Sequence, residues 1–120
     1  MKVLIVDDSK AVHSYTKALF ADGMEFVSAF DGEEATEFLK SDSVDLILLD
    51  WEMPKINGLE ALKSIRAGGD NTPIIMVTSK NIMANIIEAM DNGANEYIMK
   101  PFTKEILVEK MSEVLGRKVA

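Results

Sequence analysis

The chain contains no cysteine, and among its 120 residues it has three prolines and a single histidine. The absence of cysteine excludes disulfide bonds, thiolate nucleophiles and cysteine-ligated zinc sites, so any bound metal must use mainly oxygen ligands. The histidine, His13, lies in a predicted helix, where a solvent-facing or hydrogen-bonded position is far more common than a catalytic one. A chain without disulfides suits the reducing cytoplasm.

Excess basic charge and long apolar segments are also missing. The chain has 13 Lys and Arg residues against 20 Asp and Glu residues, a net charge of -7, which repels nucleic-acid phosphates and anionic lipids. The apolar run from Val3 to Val6 stops at Asp7 and is too short for a signal peptide, and no run approaches the roughly 20 residues that span a bilayer. We therefore expect a cytoplasmic protein that binds neither nucleic acid nor membrane.

The size and composition predict one compact domain over residues 1–120. Hydrophobic residues make up 48% of the chain, enough for one core, and no repeat, low-complexity segment or linker interrupts it. The last predicted helix ends at Leu115, close to the end of the sequence. We therefore expect no output domain.

Short apolar runs alternate with longer amphipathic stretches along the chain. The runs end at polar or turn residues, as is typical of strands buried on both faces, and the stretches between them have helical spacing. This alternation predicts parallel strands joined by right-handed helical crossovers, in a three-layer α/β sandwich with five strands and five helices. The predicted strands are Val3–Val6, Phe26–Phe30, Leu46–Leu49, Ile74–Val77 and Tyr97–Met99, and the predicted helices are Lys10–Ala21, Glu33–Lys40, Leu59–Arg66, Ile82–Asp91 and Lys104–Leu115.

Residues that favour helix ends flank these amphipathic stretches. Small polar side chains accept hydrogen bonds from the first free N–H groups of a helix, and glycine readily takes the backbone conformation found just after a helix ends. Gly23, Gly68 and Gly93 stand where the first, third and fourth helices should end. The predicted N-terminal caps are Ser9, Asp31, Asn57, Asn81 and Thr103.

Chemically active side chains follow four of the predicted strands. In open parallel sheets ligands bind outside the carboxyl ends of the strands, so these side chains should gather at one edge. Three crowded carboxylates repel one another unless a cation neutralises them, and Mg²⁺ prefers oxygen ligands of this kind. The set is Asp7 and Asp8 after strand one, Asp50 after strand three, Thr78 and Ser79 after strand four, and Lys100 after strand five.

The cluster also has the parts needed for phosphoryl transfer. A carboxylate can attack phosphorus to form an aspartyl phosphate when a metal and a cation neutralise the phosphoryl oxygens. Asp50 would be the nucleophile, Lys100 the cation and Thr78 a hydrogen-bond donor. Each residue alone has a simpler explanation as a cap, turn or strand exit, but four compatible strand ends together favour the chemical one.

These motifs resemble the receiver domain of response regulators, especially the stand-alone, CheY-like chemotaxis regulators. The resemblance covers the whole chain and implies a flavodoxin-like sheet with strand order 2-1-3-4-5. The motifs that carry it are Asp7-Asp8, Asp50-Trp51-Glu52-Met53-Pro54 followed by Gly58, Thr78-Ser79, and Tyr97 three residues before Lys100-Pro101-Phe102.

The resemblance implies a role for each matching residue. Asp50 is expected to accept a phosphoryl group from a histidine kinase, and Asp7 and Asp8 to bind Mg²⁺, for which Mn²⁺ can substitute. The backbone carbonyl of Glu52 is a further expected ligand, beside Asp50 itself. Thr78, Tyr97 and Lys100 resemble the switch residues that remodel the face made by helix four, strand five and helix five.

The expected partners follow from the same resemblance. They are the kinase, a downstream target such as the flagellar motor switch, and a phosphatase, all acting on a monomer. The protein is expected to be no enzyme beyond catalysing its own phosphorylation and dephosphorylation. A relay of the phosphoryl group to another histidine, or a phosphate sink, are alternative outputs.

Residues beside the acceptor are expected to control access to it. Trp51 should be half exposed, because strand three ends there, and should report on the site by its fluorescence. Ser79 also borders the site. Glu52 and Lys80 stand where water would approach, and we predict that they pair across the opening and prolong the lifetime of the phosphoryl group.

Helix four has more apolar residues than one buried stripe requires. Either neighbouring helices pack tightly on it, or part of it faces outward as a partner surface that uses adaptable methionines. The predicted partner face consists of Met83, Ile86, Met90, Tyr97 and Lys110.

Two other classes of protein share part of the pattern. A haloacid-dehalogenase-type phosphohydrolase also forms an aspartyl phosphate, but it requires a second Asp where this chain has Glu52, and often a cap region that the chain lacks. A flavin-binding electron carrier would need a phosphate loop rich in hydroxyl groups and glycine after strand one, where Asp7 and Asp8 repel phosphate.

Overall fold

The computed structural model describes residues 1–20 and 23–119. Five strands and five helices alternate, as predicted, and most ends agree with the sequence pattern to within one residue. The first predicted helix extended to Ala21, which lies outside the described residues; the described helix ends at Ala18. The elements are β1 Lys2–Val6, α1 Lys10–Ala18, β2 Glu25–Ala29, α2 Gly32–Ser41, β3 Leu46–Asp50, α3 Gly58–Ala67, β4 Ile74–Thr78, α4 Met83–Asp91, β5 Glu96–Met99 and α5 Lys104–Leu115.

The strands form one parallel sheet in the order β2-β1-β3-β4-β5. β3 and β4 are buried along their whole length, which explains the unbroken apolar runs that precede Asp50 and Thr78 in them. Alternate residues face opposite sides: Leu4 belongs to the core between the sheet and α2 and α3, and Ile5 to the core on the α5 side. The predicted three-layer sandwich is confirmed, and no helix in the described residues is long and apolar enough to cross a membrane.

Four of the five predicted helix caps are confirmed. The side chains of Ser9, Asp31, Asn57 and Thr103 each accept a hydrogen bond from the backbone N–H three residues later. The fifth prediction, Asn81, is wrong. The chain is still extended one residue further on, so Ile82 occupies the cap position of α4 and provides no side-chain hydrogen bond. α4 therefore begins without the stabilisation that a polar cap gives the other helices.

Candidate functional site

The strand order brings the predicted site residues to one edge of the sheet. β1 and β3 are neighbours, and β4 lies next to β3 on its other side. Asp7 directly follows β1, Asp50 is the last residue of β3, and Thr78 is the last residue of β4. Lys100 directly follows β5, the edge strand beyond β4.

Three carboxylates meet at this edge. Asp7, Asp8 and Asp50 each place a carboxylate oxygen within 4.8 Å of the other two. Asp7 and Asp50 are buried, Asp50 to 4% exposure, whereas Asp8 is exposed. The cluster is therefore closed on the protein side and reachable from solvent on the side of Asp8.

The Lys100 ammonium sits between the two buried acids. Its Nζ atom is 2.8 Å from Asp7 Oδ2 and 2.9 Å from Asp50 Oδ1. Burial opposes the charged form, but the hydrogen bonds to Asp7 and Asp50 outweigh it and raise the pKa of Lys100. The ammonium thus remains charged and supplies the fixed positive charge of the site.

The pKa of Asp50 is raised although the Lys100 ammonium lies beside it. Burial raises its pKa to about 6; the Lys100 hydrogen bond opposes the rise, while repulsion by Asp7 adds to it. The ammonium of Lys100 therefore does not restore the ordinary pKa of Asp50. An oxygen-only donor set with surplus negative charge fits a hard divalent cation, and Asp7, Asp8 and Asp50 could hold one.

Asp7 is held by the backbone around it. Its Oδ1 atom accepts a hydrogen bond of 2.8 Å from the Ser9 N–H, and its own N–H donates to the Ala29 carbonyl. Its carbonyl oxygen lies 2.8 Å from Nε2 of His13, which is buried. Of the two positions expected for His13, solvent-facing or hydrogen-bonded, the structure shows the second, although nothing in the sequence pattern identified Asp7 as its partner.

The loop after β4 closes the site on a second side. Thr78 is buried, and its hydroxyl oxygen accepts a hydrogen bond of 3.0 Å from the Lys80 N–H. Lys80 Nζ is 4.0 Å from Glu52 Oε2, so the predicted pairing is confirmed as a loose, exposed ion pair. The Ser79 hydroxyl adds a contact that sequence reasoning missed, because it donates a 2.8 Å hydrogen bond to Glu52 Oε1.

The loop after β3 fits tightly around Asp50. A Cβ atom on Gly58 would lie 2.2 Å from the carbonyl oxygen of Asp50, so no other residue fits there without moving the backbone. Trp51 is half-buried beside the site, as predicted. Lys55 has a φ of 68°, rare for a residue with a side chain, and its ammonium lies 3.7 Å from Asp31 at the start of α2.

Comparison with models of protein families identifies the family to which the chain belongs. A family model described as "Response regulator receiver domain" matches residues 3–112, which is most of the chain. The chain belongs to the receiver domain family.

Known receiver proteins resemble it over nearly its whole length. A chemotaxis protein CheY homolog of Campylobacter jejuni is 43% identical over 121 residues, covering 97% of this chain and 93% of that protein. The response regulator MprA of Mycobacterium avium is 36% identical over 118 residues, and the chain spans only 52% of its length. The solved structure of Vibrio cholerae chemotaxis protein CheY4 is 33% identical with a TM-score of 0.88, covering 95% of this chain and 98% of that one.

The predicted partner face of this receiver domain needs one correction. Met83 is 60% exposed and Met90 is also exposed, as predicted, but Ile86 is only 7% exposed and faces the protein interior. Ile86 and Ala89 form the buried stripe of α4, whereas Ile87, one residue further along, faces outward at 52% exposure.

The remaining two residues of the predicted face lie on the neighbouring elements. Tyr97 on β5 is half-buried against the core cluster on the α3 side of the sheet. Lys110 on α5 is half-buried, with its ammonium 3.4 Å from Glu96 Oε2. The exposed apolar side chains on and beside α4 therefore differ from the predicted partner face. Ile82 and Ile87 are exposed and belong to this surface, whereas Ile86 is buried and does not.

Proposed function

We propose that this receiver domain accepts a phosphoryl group on Asp50, in a reaction that requires Mg²⁺, and thereby changes which protein it binds. The observation that supports this most directly is the position of Asp50, a buried carboxylate at the end of a central strand, within 4.8 Å of two further acids and 2.9 Å from an ammonium. A purely structural cluster would gain nothing from surplus negative charge at this edge.

The phosphodonor is a histidine kinase, the usual source for this family. A carboxylate oxygen of Asp50 attacks phosphorus, the P–N bond to the donor imidazole breaks, and an acyl phosphate forms on Asp50. Lys100 already lies at hydrogen-bond distance from Asp50, so its ammonium can stabilise the negative charge of the phosphoryl oxygens without reorganisation of the site. The Thr78 hydroxyl, at the end of the adjacent strand, donates to the Lys80 carbonyl oxygen, and it can donate to a phosphoryl oxygen once this bond breaks.

Asp7, Asp8, Asp50 and the backbone carbonyl of Glu52 would hold the Mg²⁺ ion, with Mn²⁺ as an acceptable substitute. When bound, the ion supplies positive charge that offsets the repulsion between the carboxylates and the incoming phosphoryl oxygens. Asp8, the exposed member of the cluster, borders the solvent side by which ion and donor enter. Asp7 and Lys100 form the fixed inner wall.

The output is a shift between two arrangements of the face formed by α4, β5 and α5. Movement of Thr78 toward the phosphoryl group frees space near β5, and Tyr97, which is half-buried there, turns inward. The downstream partner then meets an altered surface of Ile82, Met83, Ile87, Met90, Tyr97 and Lys110.

We assign the domain to chemotaxis in the cytoplasm, with the flagellar motor switch as the target and a phosphatase as the second partner. The similarity to the Campylobacter jejuni CheY homolog over 93% of that protein supports this assignment. The domain acts as a monomeric switch and turns over no external substrate. Nothing in the site favours a phosphate relay or sink over this output, and the family match disfavours a hydrolase or a flavin carrier.

The experiment that tests the proposal is the intact mass of the chain after incubation with acetyl phosphate and Mg²⁺, with and without a chelator. We expect one added phosphoryl group, only when Mg²⁺ is free, and mapping to Asp50. Asp50→Asn should remain folded and gain no mass, because an amide is a poor nucleophile. A folded wild type without the adduct, or equal labelling of Asp50→Asn, would refute the proposal.

A further inference from the structure

His13 is buried directly behind the acid cluster. It lies on α1, one turn after the cap residue Ser9, and is 3% exposed. Side chains of a helix lean toward its N-terminus, and here Nε2 reaches back to the carbonyl oxygen of Asp7 at 2.8 Å. Because a carbonyl oxygen only accepts, Nε2 carries the proton of this bond.

The ring has little freedom to leave this position. Its centroid lies 4.5 Å from that of Phe30, which follows β2 and packs against it. In the described part of the chain Nδ1 is buried without a hydrogen-bond partner, so the bond to Asp7 is the polar contact of this side chain. The bond from Nε2 to the Asp7 carbonyl is therefore what a histidine provides at this position that an apolar side chain of similar size would not.

The bonded carbonyl belongs to the peptide unit that joins Asp7 to Asp8. The peptide unit is planar and includes the Cα atoms of both residues. A hydrogen bond that holds its oxygen therefore also fixes the positions of the two Cα atoms. The Asp7 carboxylate has further restraints, from the Ser9 N–H and from Lys100. Asp8 is exposed, so packing does not hold its carboxylate, and its direction depends on this peptide plane.

We propose that His13 is a positioning residue for the metal site: its Nε2–H bond orients the Asp7–Asp8 peptide so that both carboxylates face one ion. This inference rests on the Mg²⁺ site of the proposed function. The side chain acts through Asp7 and touches neither the ion nor the phosphoryl group. Groups that orient metal ligands in this way affect metal affinity by about tenfold to a hundredfold when removed.

The test compares two variants of similar size in the full chain. His13→Gln keeps an amide N–H at about the position of Nε2, whereas His13→Met fills the space without a donor. Mg²⁺ is titrated without any phosphodonor, and binding is measured by calorimetry and by Trp51 fluorescence. We expect His13→Met to weaken Mg²⁺ binding about tenfold and His13→Gln to stay within about twofold of the wild type.

A packing role alone would give a different result. It would lower the melting temperature of the chelated protein in both variants and leave their Mg²⁺ affinities equal to that of the wild type, and this would overturn the proposal. Equal weakening in both variants would overturn it too. Should His13→Met fail to fold, His13→Asn, whose shorter amide does not reach Asp7, replaces it with the same expectation. A folded wild type that does not bind Mg²⁺ would refute the metal site itself, and this proposal with it.

Discussion

The ammonium of Lys100 lies 2.9 Å from the carboxylate of Asp50, although the two residues are 50 positions apart in the chain. The same ammonium contacts Asp7, so one cation serves two buried acids. Its removal would leave both carboxylates without a positive partner in a largely buried site, an arrangement that is costly in proteins.

We expect Lys100→Met to lower the free energy of unfolding by about 2 to 3 kcal/mol at pH 7.5 in the presence of a chelator. Urea denaturation measures this value. Mg²⁺ should recover more stability in the variant than in the wild type, because it replaces the missing charge. Lys110→Met, which removes ion pairs with Glu96 and Glu113 near the surface, is the control and should cost less than about 1 kcal/mol. Equal losses in the two variants would contradict the assigned role of Lys100.

The pKa of about 6 for Asp50 predicts a dependence of stability on pH. An unfolded aspartate has a pKa of about 3.9, so the folded metal-free protein binds this proton more tightly. Asp50 therefore adds stability that is complete below pH 4 and is lost as the pH rises through 6. The full difference corresponds to about 2 to 3 kcal/mol.

Asp50→Asn removes this titration and is the matched variant for the measurement. In chelator, the free energy of unfolding of the wild type relative to Asp50→Asn should fall by about 1.4 kcal/mol between pH 5 and pH 8. Urea denaturation at each pH gives the difference. A difference that does not change with pH would show that Asp50 is not held in the environment described here.

The Glu52 and Lys80 pair predicts a slow loss of the phosphoryl group. The Lys80 ammonium is 4.0 Å from Glu52, whose other carboxylate oxygen accepts from Ser79. We expect these residues to cover the approach of water to phosphorylated Asp50. We expect Lys80→Ala to shorten the half-life of phosphorylated Asp50 several-fold, measured as the decay of the mass adduct. Lys40→Ala, which removes the exposed pair with Glu37 on α2, should leave it unchanged. An unaltered half-life in Lys80→Ala would disprove the idea.

The positive φ of Lys55 predicts an unusual order of stability between two variants. Lys55→Gly and Lys55→Ala both lose the ion pairs with Asp31 and Glu33, but only glycine adopts a φ of 68° without steric cost. Lys55→Gly should therefore be more stable than Lys55→Ala by about 1 kcal/mol in urea denaturation. In a relaxed loop the order would be reversed, because glycine adds freedom to the unfolded chain.

The inward position of Ile86 can be tested against its neighbour. Ile86→Ala should lower the free energy of unfolding by about 2 to 3 kcal/mol, because it leaves a cavity beneath α4. Ile87→Ala changes the same residue type on the exposed side and should cost less than about 1 kcal/mol. Thermal or urea denaturation distinguishes them, and similar losses would mean that α4 is rotated from the orientation described.

The sequence predicted the acid cluster well because each member stands at a strand end. The apolar runs before Asp7, Asp50 and Thr78 are unbroken, and parallel strands bring such ends to one edge whatever the details of packing. The Lys80 and Glu52 pairing was predictable for the same reason, since each residue lies two positions beyond a strand-end residue of the site.

Features set by packing or by backbone geometry could not be predicted from the sequence. The prediction that Ile86 faces outward is wrong, because hydrophobicity alone does not give the rotation of a helix whose residues are apolar on several sides. The prediction of Asn81 as a cap is wrong for a related reason. α4 begins at Met83, one residue later than a cap at Asn81 would require. The positive φ of Lys55 has no signal at all, since the residue usually found in that conformation is glycine.

Because Lys100 follows the last strand, the site has an order of completion during synthesis. It is 93 residues from Asp7 and 50 from Asp50, so a chain that has emerged only as far as β4 carries the three acids without the ammonium. The full set comes together only when β5 pairs with β4. A chain cut or stalled before residue 100 therefore lacks the ammonium of the site, and the proposed chemistry at Asp50 requires synthesis to pass β5.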